Sequence, residues 1–174
     1  MFNTPYKFRY CDKKTKNIGE FMFTEHKLTF ICRHNHQYIV NVEEYPYEVF
    51  ILKFHLKNHT SSPNKYKLLT QINDPFRVLS TCLNILHWFF TEKAPYGNFG
   101  FIGENLIGEG KSDTKRFRIY RQIMADKFSI VEFQHFISKK HSMYMMVSRN
   151  RLEKNGNILK EIENMFKHIY IIEK

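Results

Sequence analysis

The tightest constraint on this chain is a change of hydrophobic period near Asp74-Pro75. Before it, apolar residues recur at every second position. In residues 48–57, Phe50, Leu52, Phe54 and Leu56 point one way while Lys53, His55 and Lys57 point the other. That alternation predicts a half-buried antiparallel strand with one wet face. After it, Phe76, Val78, Leu79, Cys82, Leu83, Ile85, Leu86, Phe89 and Phe90 cover most sides of a helix running to about Glu92. A helix apolar on most sides belongs in the core. Asp74 is a favoured N-cap residue, and Pro75 fits the first helical position because its missing N–H has no partner there anyway. Pro95 and Gly97 stop the helix.

Other elements follow from the same two periods. Residues 20–23 and 27–33 read as strands, with Leu28, Phe30 and Cys32 on one face. His34-Asn35-His36 reads as a turn into a strand at 38–43, and a loop at 59–64 precedes a short strand at 66–71. Residues 99–103 form a central strand, and 104–111 a glycine-bearing loop. A second helix opens at Ser112 or Asp113 and runs to about Asp126, with Phe117, Tyr120 and Met124 on one face. Strands at 132–137 and 142–148 follow. Asn155-Gly156 makes a turn, and Asn157 caps a closing amphipathic helix through Ile158, Ile162, Met165, Phe166 and Ile169. The sum is an α+β fold with a mixed, mostly antiparallel central sheet flanked by three helices. No repeat or Pro/Gly-rich linker divides the 174 residues, so a single domain over 1–174 is expected.

No stretch reaches the roughly 20 apolar residues of a membrane-spanning helix. The longest candidate, 78–90, holds Asn84 and His87. Residues 1–9 lack the apolar core of a secretory signal, and a cytoplasmic, non-membrane protein is expected. Three separated cysteines, Cys11, Cys32 and Cys82, suit reduced thiols better than a disulfide framework. Cys32, His34 and His36 alternate, but no second ligand pair follows, so no metal site is expected.

The formal charge is +10. Lysine outnumbers arginine by 19 to 8, a profile that AT-rich coding produces by itself, so arginine clusters carry more information. Lys111, Lys115, Arg116, Arg118 and Arg121 form such a cluster, with three of the eight arginines on the second helix. A basic helix face of this kind can grip phosphates or an acidic protein.

The order of elements resembles the GNAT acyltransferases, which use acetyl-CoA. The segment Asp113-Thr114-Lys115-Arg116-Phe117-Arg118-Ile119-Tyr120 is similar to that superfamily's fourth helix, opened by an Asn-like residue with a tyrosine seven positions on. The resemblance spans roughly residues 20–148 and implies that Tyr120 is the general acid for the departing thiolate. It also implies that Asp113 and Gln71 flank an acyl-CoA site. Arg116, Met124 and Ala125 depart from the family's usual small residue and Gly-Phe pair. The family's phosphate turn, Gln/Arg-x-x-Gly-x-Gly/Ala, corresponds to Gln71-Ile72-Asn73-Asp74-Pro75-Phe76, where only Gln71 fits. A carboxylate within about 4 Å of a phosphate costs on the order of 4 kcal/mol at a surface-type dielectric, and Pro75 offers no N–H.

Two functions from different classes follow. One is a GNAT-like domain with a diverged acyl-CoA site, either an acyltransferase of unusual donor or a catalytically inactive relative. The other is a non-catalytic module binding nucleic acid or an acidic protein through the basic helix. A V-shaped opening floored by Tyr120 would favour the first; a cleft filled by Phe76, Phe99 or Phe101 would favour the second.

Overall fold

A computed structural model describes residues 4–68 and 70–172. Seven strands form one sheet: β1 (Phe8–Ile18), β2 (Phe21–Ile31), β3 (Gln37–Tyr45), β4 (Val49–Leu56), β5 (Asn98–Ile102), β6 (Phe133–Ser138) and β7 (Met143–Ser148). Their order across the sheet is β1-β2-β3-β4-β5-β7-β6, and every pairing is antiparallel except β4 with β5. Four helices accompany them: α1 (Pro75–Glu92), α2 (Lys115–Lys127), α3 (Arg149–Lys154) and α4 (Ile158–Ile172). The α+β class is as expected, but the helices number four among the described residues. The additional one, α3, is a six-residue polar turn of helix with no buried residue, too short to show a period. No helix among the described residues is long and apolar enough to cross a membrane.

Strand alternation divides the core between the two faces of the sheet. Phe50, Phe99, Phe101, Tyr144 and Met146 join Val78, Ile85 and Phe89 of α1 and Phe117 and Met124 of α2. Their neighbours Val49, Ile51, Met145 and Val147 face the other way, onto Ile158, Ile162, Met165 and Phe166 of α4. Gly103 follows β5 where the chain passes under α2. A Cβ there would come within 2.5 Å of the Phe117 backbone, so only glycine allows this approach.

Three expected details change. The expected strands at 20–23 and 27–33 merge into one, Phe21–Ile31, which leaves out Glu20, Cys32 and Arg33, because Glu25 and His26 find polar partners in Lys16 and Glu44 instead of breaking the ladder. The expected strand at 66–71 is absent among its described residues (Leu69 lies outside them), and they form turns and bends. The wet face of β4 is partly covered. His55 is buried because the Tyr66 ring stands edge-on to it at 5.2 Å.

Candidate functional site

Strands β4 and β5 pair over only three positions, Val49–Ile51 with Asn98–Gly100. Beyond Ile51 and Gly100 both strands continue without pairing to each other, which opens a split in the sheet. An apolar cavity of about 60 Å³ occupies it, lined by Leu52, Phe54, Cys82, Leu83, Phe101 and Tyr120 among others. That is well below the roughly 300–1,000 Å³ of ordinary ligand pockets. The aromatic side chains narrow it: Phe99 and Phe101 are buried in its wall, while Phe76 is exposed and outside it.

Tyr120 reaches this cleft because it shares a helix face with Phe117 and Met124, which anchor α2 to the sheet. Its ring meets Phe101 edge-on at 5.4 Å and leans on Phe54 at 6.4 Å. Burial pushes its phenol upward in pKa. Burial does the same to the Cys82 thiol across the cavity, so that sulfur stays protonated and unreactive. Near Tyr120, Phe101 stacks on Tyr144 at 5.2 Å, and the Tyr144 hydroxyl is hydrogen-bonded to His135 Nδ1.

The turn before α1 is built as a clamp. Asp74 occupies the N-cap position, yet its side chain makes no capping hydrogen bond. Its carboxylate is buried instead, where it accepts the Tyr6 hydroxyl proton and lies 3.7 Å from the Arg33 guanidinium. Arg33 also donates to the carbonyl of Asn73 at 2.9 Å, and its backbone N–H donates to the Tyr6 hydroxyl oxygen at 3.0 Å. Arg77 covers the Tyr6 ring at 4.0 Å. Gln71 is exposed and left-handed, with φ of 52°. No bare backbone cradle remains at 71–76.

Asp113 is not the cap of α2. It adopts φ of 48°, its N–H donates to Lys139 O at 2.8 Å, and its carboxylate lies 3.6 Å from Arg118. Thr114 caps the helix, accepting from Phe117 N–H at 3.2 Å and donating to Gly103 O at 2.6 Å. The threonine reaches both because it lies between the sheet and the first helical turn, whereas Asp113 is turned toward the β6–β7 connection.

The basic residues separate by role. Arg116 donates to the carbonyls of Tyr66 and Leu68, holding the connection between β4 and α1 against α2. Arg121 is half-buried over the Phe117 ring at 5.7 Å. Lys111, Lys115 and Arg118 are exposed. The β6–β7 turn joins them, because the Ser142 hydroxyl donates to Lys111 O at 2.8 Å and the Ser112 hydroxyl donates to Lys139 O at 3.2 Å. Exposed Lys139, Lys140 and His141 thereby come beside Lys111. Glu109, like Asp113, is an acid within this surface. Its carboxylate accepts the N–H groups of Leu106 and Lys115 at 2.8 and 2.9 Å, which hold its pKa below the usual range.

Cys32, His34 and His36 do not share a strand face. They form a turn in which Cys32 is buried and both histidines are exposed. Among the described residues no three His, Cys, Asp or Glu side chains gather as metal ligands.

The clamp residues Tyr6, Arg33 and Arg77 and the added basic residues 139–141 escaped the sequence reading. Tyr6 and Asp74 are separated by 68 positions, and no local period marks such a pairing. The run Lys139-Lys140-His141 is visible as charge, but its place beside α2 is a product of the fold. No model of a known family matches this chain, and neither curated proteins nor solved structures give a significant match.

Proposed function

We propose that this chain is a GNAT-like domain whose acyl-CoA site has diverged, and that it is a catalytically inactive relative of the acyltransferases. The carrying observation is Asp74. The carboxylate that stands where a phosphate turn is expected is buried and already satisfied by Tyr6 and Arg33. The parting of β4 from β5, with Tyr120 on the wall of the cleft, supports the likeness in layout. The small apolar cavity offers no compensating room for a cofactor. Calorimetry with acetyl-CoA is expected to give no saturable heat at millimolar ligand. Micromolar binding that Asp74→Lys strengthens would overturn the reading. The other branch, an acyltransferase whose donor lacks a pyrophosphate, rests on Tyr120 and is separated by the Tyr120→Phe variant.

A second reading is favoured by the β6–β7 turn. Lys111, Lys115, Arg118, Lys139, Lys140 and His141 make one exposed basic surface that a nucleic acid or an acidic protein could occupy. Retention on heparin or an oligonucleotide at low salt is expected under this reading. The triple change Lys115→Gln, Lys139→Gln and Lys140→Gln should lower the salt dependence by about three counterions. If the unmodified protein is not retained at all, the reading fails.

A further inference from the structure

A second cavity, of about 390 Å³, lies at the opposite end of the β4/β5 pair from the split, where the two strands begin. This volume falls within the roughly 300–1,000 Å³ of small-molecule pockets. Tyr47 and Tyr96 line it and are 41% and 52% exposed, so two phenol rings face solvent where burial would have stabilised them. Asn150, Arg151 and Lys154 of α3, with Asn155 and Ile158, complete its wall.

Two observations mark this cavity as built. Tyr47 and Glu48 are consecutive non-glycine residues in the left-handed region, with φ of 65° and 52°. Such strain persists only where the surroundings hold it, and it concentrates at functional sites. Here the holding is explicit. Asn98, fully buried, donates its amide to Tyr47 O at 2.9 Å and accepts Ser148 N–H at 3.0 Å. Glu48 is in turn tied to Arg151, which also donates to Tyr96 O at 3.2 Å. The second is charge. Arg151 is neutralised by Glu48, but Lys154 has no acid partner among the described residues and sits 5.5 Å from the centre of the Tyr96 ring.

We propose that this cavity binds a planar-ringed anion, and that a nucleoside monophosphate has the required chemistry. The ring stacks on Tyr96 and Tyr47, and the phosphate meets Lys154. The charge of Lys154 excludes a cationic guest, which the two phenols alone would have suited. The reading does not depend on the cleft beside Tyr120, which is a separate space lined by other residues.

The test is a titration of the unmodified protein with the four ribonucleoside 5′-monophosphates, followed by amide chemical shifts, with the nucleosides and inorganic phosphate as separate arms. Saturable shifts near 47–48, 96 and 150–155 are expected with at least one monophosphate. Binding should weaken about tenfold in Tyr96→Ala, the order expected for one lost base–aromatic stack. Lys154→Gln should weaken the monophosphate and leave the nucleoside arm unchanged. Tyr47→Gly provides a control on folding, because glycine relieves the left-handed strain: it should melt no lower than the unmodified protein while binding less well. No saturable shift with any monophosphate overturns the proposal. So does binding that both Tyr96→Ala and Lys154→Gln leave intact, or inorganic phosphate matching the nucleotides.

Discussion

The hydroxyl of Tyr6 donates to the carboxylate of Asp74 across 68 positions of sequence, and the same hydroxyl oxygen accepts the backbone N–H of Arg33. One phenol thus ties three segments together: the N-terminal strand region, the β2–β3 turn and the start of α1. Burial and the Asp74 carboxylate both raise its pKa, so it remains a donor at all ordinary pH. The ring itself stacks on Phe30 at 5.8 Å and lies beneath Arg77. An aspartate that would otherwise oppose an anion at the helix N-terminus is held inward by this arrangement.

Tyr6→Phe keeps both ring contacts and removes only the hydroxyl. The Asp74 carboxylate loses its donor and the Arg33 N–H its acceptor, so the change should cost about 1–3 kcal/mol in urea denaturation. The double variant with Asp74→Asn should cost less than the sum of the two single changes, because they remove one shared bond. Strict additivity would show that the two residues do not act together.

Arg116 makes a different prediction from its neighbours on α2. Its guanidinium holds the carbonyls of Tyr66 and Leu68, whereas Arg118 is exposed beside Asp113. Arg116→Gln should therefore raise amide exchange across 57–74 and lower stability by about 1–2 kcal/mol. Arg118→Gln should stay within about 0.5 kcal/mol. Equal exchange in the two variants would remove the structural role given to Arg116.

How much of this could be read beforehand depended on whether the physical cause was local. Helix α1 was legible from Pro75 to Glu92 because Asp74-Pro75, the apolar coverage and Pro95-Gly97 all act within a few residues. Strand β4 was legible from alternation alone. Strand β1 was not, because its stretch 11–17 is an exposed, charge-rich edge with no buried face to impose a period. The 66–71 segment looked like a strand from its composition, but Arg116 claims carbonyls that a ladder would have used. At the cleft, helical spacing placed Tyr120 on one face of α2 with Phe117 and Met124, and only the family resemblance singled it out. The cap was misassigned to Ser112 or Asp113 because only the fold brings Lys139 O and Gly103 O to that turn, where they select Thr114.

His55 gives a pH prediction. The Thr60 hydroxyl spends its proton on Lys57 O at 2.6 Å, so His55 Nε2 must be the donor toward Thr60 at 3.3 Å. That leaves His55 Nδ1 bare and buried. Burial first, then Lys65 and His59, push its pKa from 6.5 down to about 4, with Glu25 opposing and Lys27 adding to the shift. The unfolded chain therefore binds a proton that the folded one refuses. Stability is full above pH 6.5 and falls as pH drops from there to about 4. His135, also lowered by burial, acts with the same sign. In His55→Phe the slope over this window should shrink but not vanish. An unchanged slope would show that His55 titrates normally in the folded protein.

Tyr120 separates structure from chemistry most directly. Among the described residues its hydroxyl makes no hydrogen bond, although its ring is packed against Phe54 and Phe101 in an apolar cleft. The residue is only partly buried, and its hydroxyl is not among the buried atoms left without a partner, so it keeps access to water. Tyr120→Phe should therefore leave stability within about 0.5 kcal/mol of the unmodified protein. Tyr144→Phe, which loses the bond to His135 on the far side of Phe101, should instead destabilise by about 1 kcal/mol. If the cleft transfers an acyl group from any donor, turnover in Tyr120→Phe should fall by about 10²–10⁴ while donor binding persists. A destabilised Tyr120→Phe would show that the hydroxyl is structural, and it would remove the one side chain on which a catalytic reading of the cleft rests.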